Sequence, residues 1–307
     1  MIDTSTAPWY AALPPLRGRV IADAPLAAGT WFRVGGSAEV LVRPADIDDL
    51  VTCMTAASPE WPVTILGAAS NIIIRDGGVP GLVVKLGRGF GEIAIEPDGV
   101  IAGAAALDTT IADHAAMAGL GGLEFLSGIP GSLGGAVAMN AGAFGADMRS
   151  VLDWAEIIGP DGSMKRYGAD ELGLDYRHAR LPPGGIVVRA RLRAHTEERN
   201  VVIARMDDIK AQREATQPVR ARTGGSTFRN PPGHKAWQLI DQAGCRGMLI
   251  GDAQVSEKHC NFLINRGQAT ASDLEALGEL VRERVQAMFG VELLWEIKRM
   301  GIPGGVT

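Results

Sequence analysis

Short apolar runs broken by glycine dominate this chain, with only a few stripes at helical spacing. Ala38 to Val42 reads as an apolar strand. Pro44 then opens a helix whose Ile47, Leu50, Val51 and Met54 share one face. Val63 to Leu66, Ile72 to Ile74, Leu82 to Leu86, Glu92 to Ile95 and Val100 to Ala105 follow as short strands with glycine-rich turns between them. Asp108 is expected to cap a helix over TTIADHAAMAGL. Trp154 to Ile158 and Met164 to Tyr167 make a hairpin across the turn signal PDG, and Ile186 to Ala194 is a further strand. Near His195 the pattern changes to a charged helix that ends before Pro218. A Gly/Ser/Thr loop and a helix over HKAWQLIDQAG come next. Leu274, Leu277, Leu280, Val281 and Val285 then mark a long helix from Ser272 to Phe289, with Gly290 as its stop. A last strand is expected from Val291 to Lys298. Many short strands with few helices argue for an α+β chain and against a simple doubly wound sheet. The change near His195 divides it into an N-terminal arm (1–24), a first domain (25–195) and a C-terminal domain (196–307).

Composition narrows the function classes. The chain has 307 residues, 46% hydrophobic and 21% charged, which is enough to bury a large core. A net charge of −5 argues against a general nucleic-acid surface or an anionic-membrane surface. No apolar run approaches the ~20 residues of a spanning helix, so no membrane insertion is expected. The N-terminus lacks the basic and apolar regions of a secretory signal. Three widely spaced cysteines, Cys53, Cys245 and Cys260, suit reduced thiols in a cytoplasmic protein. The five histidines show no ligand spacing, and no metal site is expected.

The segment from Gly121 to Gly145, GGLEFLSGIPGSLGGAVAMNAGAFG, carries the first hint of chemistry. Its glycines alternate with Ile129, Leu133, Val137, Met139 and Phe144, so it belongs to a folded core and not to a linker. Pro130 can open a short buried helix over Gly131 to Met139. Glycine lets bare N–H groups turn toward an anion, and a diphosphate fits such a place. A tight turn between packed elements is the alternative. The segment matches neither a Walker A nor a GxGxxG pattern.

Seven motifs then occur in one order. They are TWFRVGG (Thr30–Gly36), LGAASN (Leu66–Asn71), GIPGSLGGAVAMNAGAFG (Gly128–Gly145), DYR (Asp175–Arg177), GGSTFRNP (Gly224–Pro231), KHCNFLIN (Lys258–Asn265) and LLWEIKRMG (Leu293–Gly301). Together, over about residues 25 to 301, they resemble the UDP-N-acetylenolpyruvoylglucosamine reductase family of bacterial cell-wall precursor synthesis. The resemblance implies a two-subdomain FAD-binding fold of the vanillyl-alcohol-oxidase type and a smaller C-terminal substrate domain. The span between Arg177 and Ser226 is too short for the family's extra insert, which implies the shorter architecture. Implied partners are non-covalent FAD, NADPH as co-substrate and UDP-N-acetylglucosamine enolpyruvate. NADPH reduces the flavin and leaves, and the enolpyruvyl group then receives hydride and a proton.

The resemblance also implies site residues. Arg177 matches the arginine that holds the substrate carboxylate, a task suited to a planar fork; read locally, it is a surface charge after a turn. Glu296 matches a glutamate beside the same carboxylate, able to donate a hydrogen bond if burial keeps it neutral. Its neighbours do not settle which face of the strand it takes. Ser226 matches the serine that protonates carbon, although no triad surrounds it and a turn or cap is its ordinary reading. Gly67, Ser70, Asn71, Gly128, Ile129, Gly131, Ser132, Gly135, Asn140 and Ala141 are implied FAD contacts. Asn230, Arg222, Arg229 and Lys258 are implied substrate contacts. His259 is either near the ligands or a packed histidine, and Arg33 reads as structural. Three positions depart from the family pattern: Ala69 replaces a glycine, Arg229 a lysine and Ala179 a serine. An alcohol oxidase of the same fold and a non-catalytic nucleotide-binding protein share parts of this pattern. The first would lack the Arg177, Ser226 and Glu296 set, and the second would bind no flavin.

Overall fold

A computed structural model describes residues 8–57 and 60–305. The part of the expected arm at residues 1–7 lies outside the described residues. The chain forms two compact units. Of the described residues, unit 1 comprises 8–24, 39–57, 60–67 and 81–202. Unit 2 comprises 25–38, 68–80 and 203–305.

Unit 1 is built on two sheets. The first orders Arg19–Pro25, Ser37–Arg43, Val79–Val84 and Val63–Ile65, with the last two parallel. Its first strand lies within the expected arm and carries no apolar alternation to announce it; only Ala24 in it is buried. Helix α1 (Ile47–Ala56) buries Leu50, Cys53 and Met54 in one core with Val40, Val42, Leu82 and Val84. It starts at Ile47 and not at Pro44, because the Asp46 side chain accepts from Asp49 N and fixes the cap there. The second sheet is antiparallel and orders Met164–Gly168, Leu152–Ile158, Ile186–Arg193, Gly99–Gly103 and Ile93–Glu96. The expected PDG hairpin forms its edge.

Helices α2 (Asp108–Met117) and α3 (Leu133–Met139) pack on that sheet. A bridge between Leu107 and Ser132 holds both chains extended at the point where each helix starts. This corrects two expectations. Leu107 takes the cap position of α2, so Asp108 is the first helical residue and caps nothing. Ser132 takes the cap position of α3, so Pro130 and Gly131 stay in the loop. A four-residue helix α4 (Met148–Val151) follows, with an Asp147–Ser150 capping box.

Helix α5 (Arg199–Thr216) is the charged helix read from the sequence. Unit 2 follows with the antiparallel sheet Arg222–Ser226, Phe262–Asn265, Ala253–Val255, Leu249–Ile250. Helices α6 (Ala236–Gln242) and α7 (Ala271–Phe289) share its core. Thr270 and Asp273 form a capping box at the start of α7, and Gly290 ends it at φ 68°. Phe32, Val34 and Ile73 join the same core. Asn265 Nδ2 donates to Phe32 O at 2.8 Å. A Cβ on Gly224 would lie 2.3 Å from Phe32 Cε2, so only glycine permits this approach. The expected last strand is shorter and later: Lys298–Met300 pairs in parallel with Ile72–Ile74. Leu294–Glu296 holds only an isolated bridge, Trp295 to Phe228, because Trp295 turns into the side of α7 at Gly278.

Candidate functional site

In unit 1 the segment GIPGS runs from the 3₁₀ turn Glu124–Gly128 into α3. Its backbone is partly spent on structure: Gly131 O accepts from Asp108 N at 3.2 Å, Leu133 N donates to Ala106 O and Gly134 N to Ala104 O. The N–H groups of Gly131, Ser132 and Gly135 have no acceptor among the described residues. Ser132 makes no side-chain cap bond. A Cβ on Gly67 would stand 3.0 Å from Ser132 Oγ, which brings Gly67 beside this loop. Free N–H donors on a backbone stripped of side chains suit the diphosphate of FAD. The residues present therefore fit that cofactor.

Asn140 has a different use. It is buried and ends α3 in the left-handed region, at φ 43°. Its Nδ2 donates to Asp147 Oδ2 at 3.1 Å and to Asp175 O at 2.9 Å, while Oδ1 accepts from Arg149 N at 2.8 Å. The side chain is fully engaged within the protein, and Ala141 N donates to Ala136 O. Asn140 thereby ties the glycine-rich segment to the turn that carries Arg177. In that turn Asp175 and His178 exchange two backbone bonds, at 2.9 and 3.0 Å. Arg177 is half-buried at φ 53°, a conformation that side chains avoid, and its guanidinium carbon lies 5.5 Å from the Tyr176 ring.

In unit 2, Ser226 and Glu296 come together through the backbone. Glu296 N donates to Thr227 O at 2.8 Å, and Arg229 N donates to Leu294 O at 2.9 Å. Ser226 Oγ has no hydrogen-bond partner among the described residues, which leaves it open to a ligand. Asn71 Nδ2 donates to Glu296 O at 3.2 Å, and Lys298 N donates to Asn71 O. Asn71 and Ser70 thus belong to unit 2, apart in the chain division from the remaining implied FAD residues. Ala69 sits at φ 54° and is 6% exposed, so the departure from glycine falls on a position that glycine fills without strain.

The strand end beyond Ser226 is held by Asn261, which sequence reasoning passed over. Asn261 is buried; its Nδ2 donates to Phe228 O at 2.8 Å, and its Oδ1 accepts from Phe228 N at 3.0 Å. An Asn immediately before the apolar strand Phe262–Asn265 was the available signal. Asn230 Oδ1 accepts from Ala236 N at the start of α6, and Arg222 donates to Gly267 O at 3.0 Å. Lys258 Nζ donates to Glu214 O. Arg229 keeps a buried Nε with no partner, an orphan donor suited to an anion. His259 stacks edge-on to Phe262 at 4.8 Å, and its Nδ1 accepts from Asn261 N. Burial holds its pKa below the ordinary value, and both facts favour a packed, neutral ring. Arg33 donates to Ala28 O.

Comparison with known proteins supplies the family. A family model described as FAD binding domain matches residues 38–168. One described as UDP-N-acetylenolpyruvoylglucosamine reductase, C-terminal domain, matches residues 217–300. A UDP-N-acetylenolpyruvoylglucosamine reductase of Acidiphilium cryptum is 68% identical over 297 residues, covering 97% of this chain and 96% of its own. That of Granulibacter bethesdensis is 67% identical, covering 94% and 93%. The crystal structure of the reductase from Thermus caldophilus is 36% identical with a TM-score of 0.80, covering 93% of this chain and all of that one. The chain belongs to the UDP-N-acetylenolpyruvoylglucosamine reductase family.

Proposed function

We propose that this chain is the flavoenzyme that reduces UDP-N-acetylglucosamine enolpyruvate to UDP-N-acetylmuramate, with NADPH as donor, in peptidoglycan precursor synthesis. Near-full-length identity of 68% to a reductase of that name carries the reading. When bound, FAD would supply the hydride-transfer chemistry between NADPH and the substrate's vinyl group. The remaining work belongs to side chains.

Arg177 holds the substrate carboxylate through its guanidinium fork. Its left-handed backbone supports this role, since strain of about 1–3 kcal/mol persists where surroundings over-determine a residue. Glu296 donates a hydrogen bond to the same carboxylate as negative charge builds there. Ser226 gives its hydroxyl proton to the carbon bearing the ether oxygen, which completes reduction of the double bond; the serine then regains a proton from water. The unpartnered Oγ of Ser226 and the backbone pairing of Thr227 with Glu296 support these two roles. Gly67, Gly128, Ile129, Gly131, Ser132 and Gly135 line the diphosphate, and Ser70, Asn71, Asn140 and Ala141 complete the cofactor set, Asn140 by shaping backbone. Arg229, Arg222, Lys258 and Asn230 meet the sugar nucleotide, with the orphan Nε of Arg229 as the strongest of these.

No helix among the described residues is long and apolar enough to cross a membrane. The three cysteines are free and buried, which supports a cytoplasmic setting. The test is an anaerobic stopped-flow record of the flavin spectrum. NADPH bleaches it, and UDP-N-acetylglucosamine enolpyruvate then restores the oxidised band. Bleaching without recovery overturns the substrate, and absence of a flavin band in FAD-supplemented protein overturns the enzyme.

A further inference from the structure

Asp108 is a buried carboxyl with nothing to do in the protein alone. Its side chain is fully buried, and neither Oδ1 nor Oδ2 has a hydrogen-bond partner. It is the first residue of α2, and its side chain accepts no backbone N–H. It is aimed at the glycine-rich loop: a Cβ on Gly131 would lie 2.6 Å from Oδ2. The backbone joins the same two places, through Asp108 N to Gly131 O and through the Leu107–Ser132 bridge. The loop it packs against is the one whose Gly131, Ser132 and Gly135 N–H groups are free.

Charged groups on the surrounding elements do not neutralise it. Glu124, in the 3₁₀ turn, accepts from Gly122 N. Glu96 of the adjoining strand pairs with Arg191. Asp113 and His114 of α2 are exposed. His195, beyond the C-terminal end of α2, approaches Gly121 and Gly122. None makes a bond to Asp108, and the 128–135 loop carries no charge. Burial alone pushes the carboxyl up to about 8.

We infer that Asp108 is a positioning residue for cofactor binding: as a neutral acid packed against Gly131 it leaves the Gly131–Ser132 loop able to take the FAD diphosphate, and on losing its proton it sets an unpaired negative charge beside that loop and weakens binding. The inference rests on the FAD reading above. A carboxylate here repels a bound diphosphate and finds no donor to compensate. If only the neutral form binds, affinity falls by about tenfold per pH unit above the titration.

The experiment is equilibrium FAD binding to the full-length apoprotein by flavin fluorescence, from pH 6.5 to 9.5, with circular dichroism recorded at each pH. The wild-type dissociation constant is expected to rise at least about tenfold across that range with the fold intact. Asp108→Asn keeps size without a titrating proton, and its affinity is expected to stay flat. A pH jump of the wild-type holoprotein from 7 to 9.5 should release FAD and needs no variant. Equal pH profiles in wild type and Asp108→Asn, or no release after the jump, overturn the inference while leaving the FAD reading intact. No FAD binding at any pH removes both.

Discussion

Ser226, Arg177 and Ala69 show how a side chain's use depends on backbone that its neighbours in sequence do not reveal. GGSTF reads as a turn, yet Thr227 O in it accepts from Glu296 N, nearly seventy residues on. Ser226→Ala is expected to leave flavin reduction by NADPH near normal and to slow the substrate half-reaction by about 10²-fold or more, the usual worth of a positioned proton donor. Single-turnover kinetics of both halves check this; equal slowing of the two would assign Ser226 to positioning. Asn261→Ala removes both partners of the Phe228 amide group and is expected to cost about 2–3 kcal/mol in urea unfolding. It should also slow the substrate half, since the Ser226 strand loses its clamp. The motif residues were legible as a set. The left-handed φ of Arg177 and Ala69, and the engagement of the Asn140 side chain, were not, because they follow from which turns meet.

At the scale of elements, helix stripes were read well and short strands less so. The apolar face of α7 and its stop at Gly290 are local properties, set by spacing and by a residue free to adopt φ 68°. The start of α1 is fixed locally by the Asp46 side chain accepting from Asp49 N, whereas the start of α2 depends on the pairing of Leu107 with Ser132, which nothing local announces. Lys298–Met300 finds its partner at Ile72–Ile74, and nothing local announces a parallel pairing across more than two hundred residues. Packing at Gly278 gives a test. A Cβ there would lie 2.2 Å from the Trp295 ring, and that ring is pinned by Nε1 donating to Glu279 Oε1 at 2.8 Å. Gly278→Ala gains up to about 1 kcal/mol in helix propensity. Overpacking costs about 1–3 kcal/mol. The ring cannot retreat cheaply, so net destabilisation is expected, with a larger effect on the substrate half-reaction than on flavin reduction because Glu296 follows Trp295. A stabilised variant with unchanged kinetics would contradict this.

Across the whole molecule, stability should carry the signature of Asp108. Burial raises its carboxyl from 3.8 to about 8 in the folded chain, while the unfolded chain keeps the ordinary value. The folded state therefore holds a proton that the unfolded state releases. Its contribution is fully present below about pH 4 and is lost as pH rises through about 8. The unfolding free energy of the apoprotein, taken relative to Asp108→Asn, is expected to fall between pH 5 and 8 and to level off above 9. A pH-independent difference in urea titrations would show that the carboxyl is not held neutral.

The sequence by itself determined the class, the motif order and the family, because seven spaced motifs act as independent constraints on one fold. The resemblance carried by those motifs also implied FAD binding in the N-terminal half; the interleaved glycine and apolar residues by themselves fit a diphosphate cradle and a tight turn alike. Tertiary structure alone decided that residues 25–38 and 68–80 join the unit built by the C-terminal third, that Asn261 clamps the serine strand, and that Asp108 is buried with no partner. Those outcomes depend on burial and on pairing between distant segments. Both are properties of the closed chain, and no local pattern of residues encodes which distant backbone will arrive.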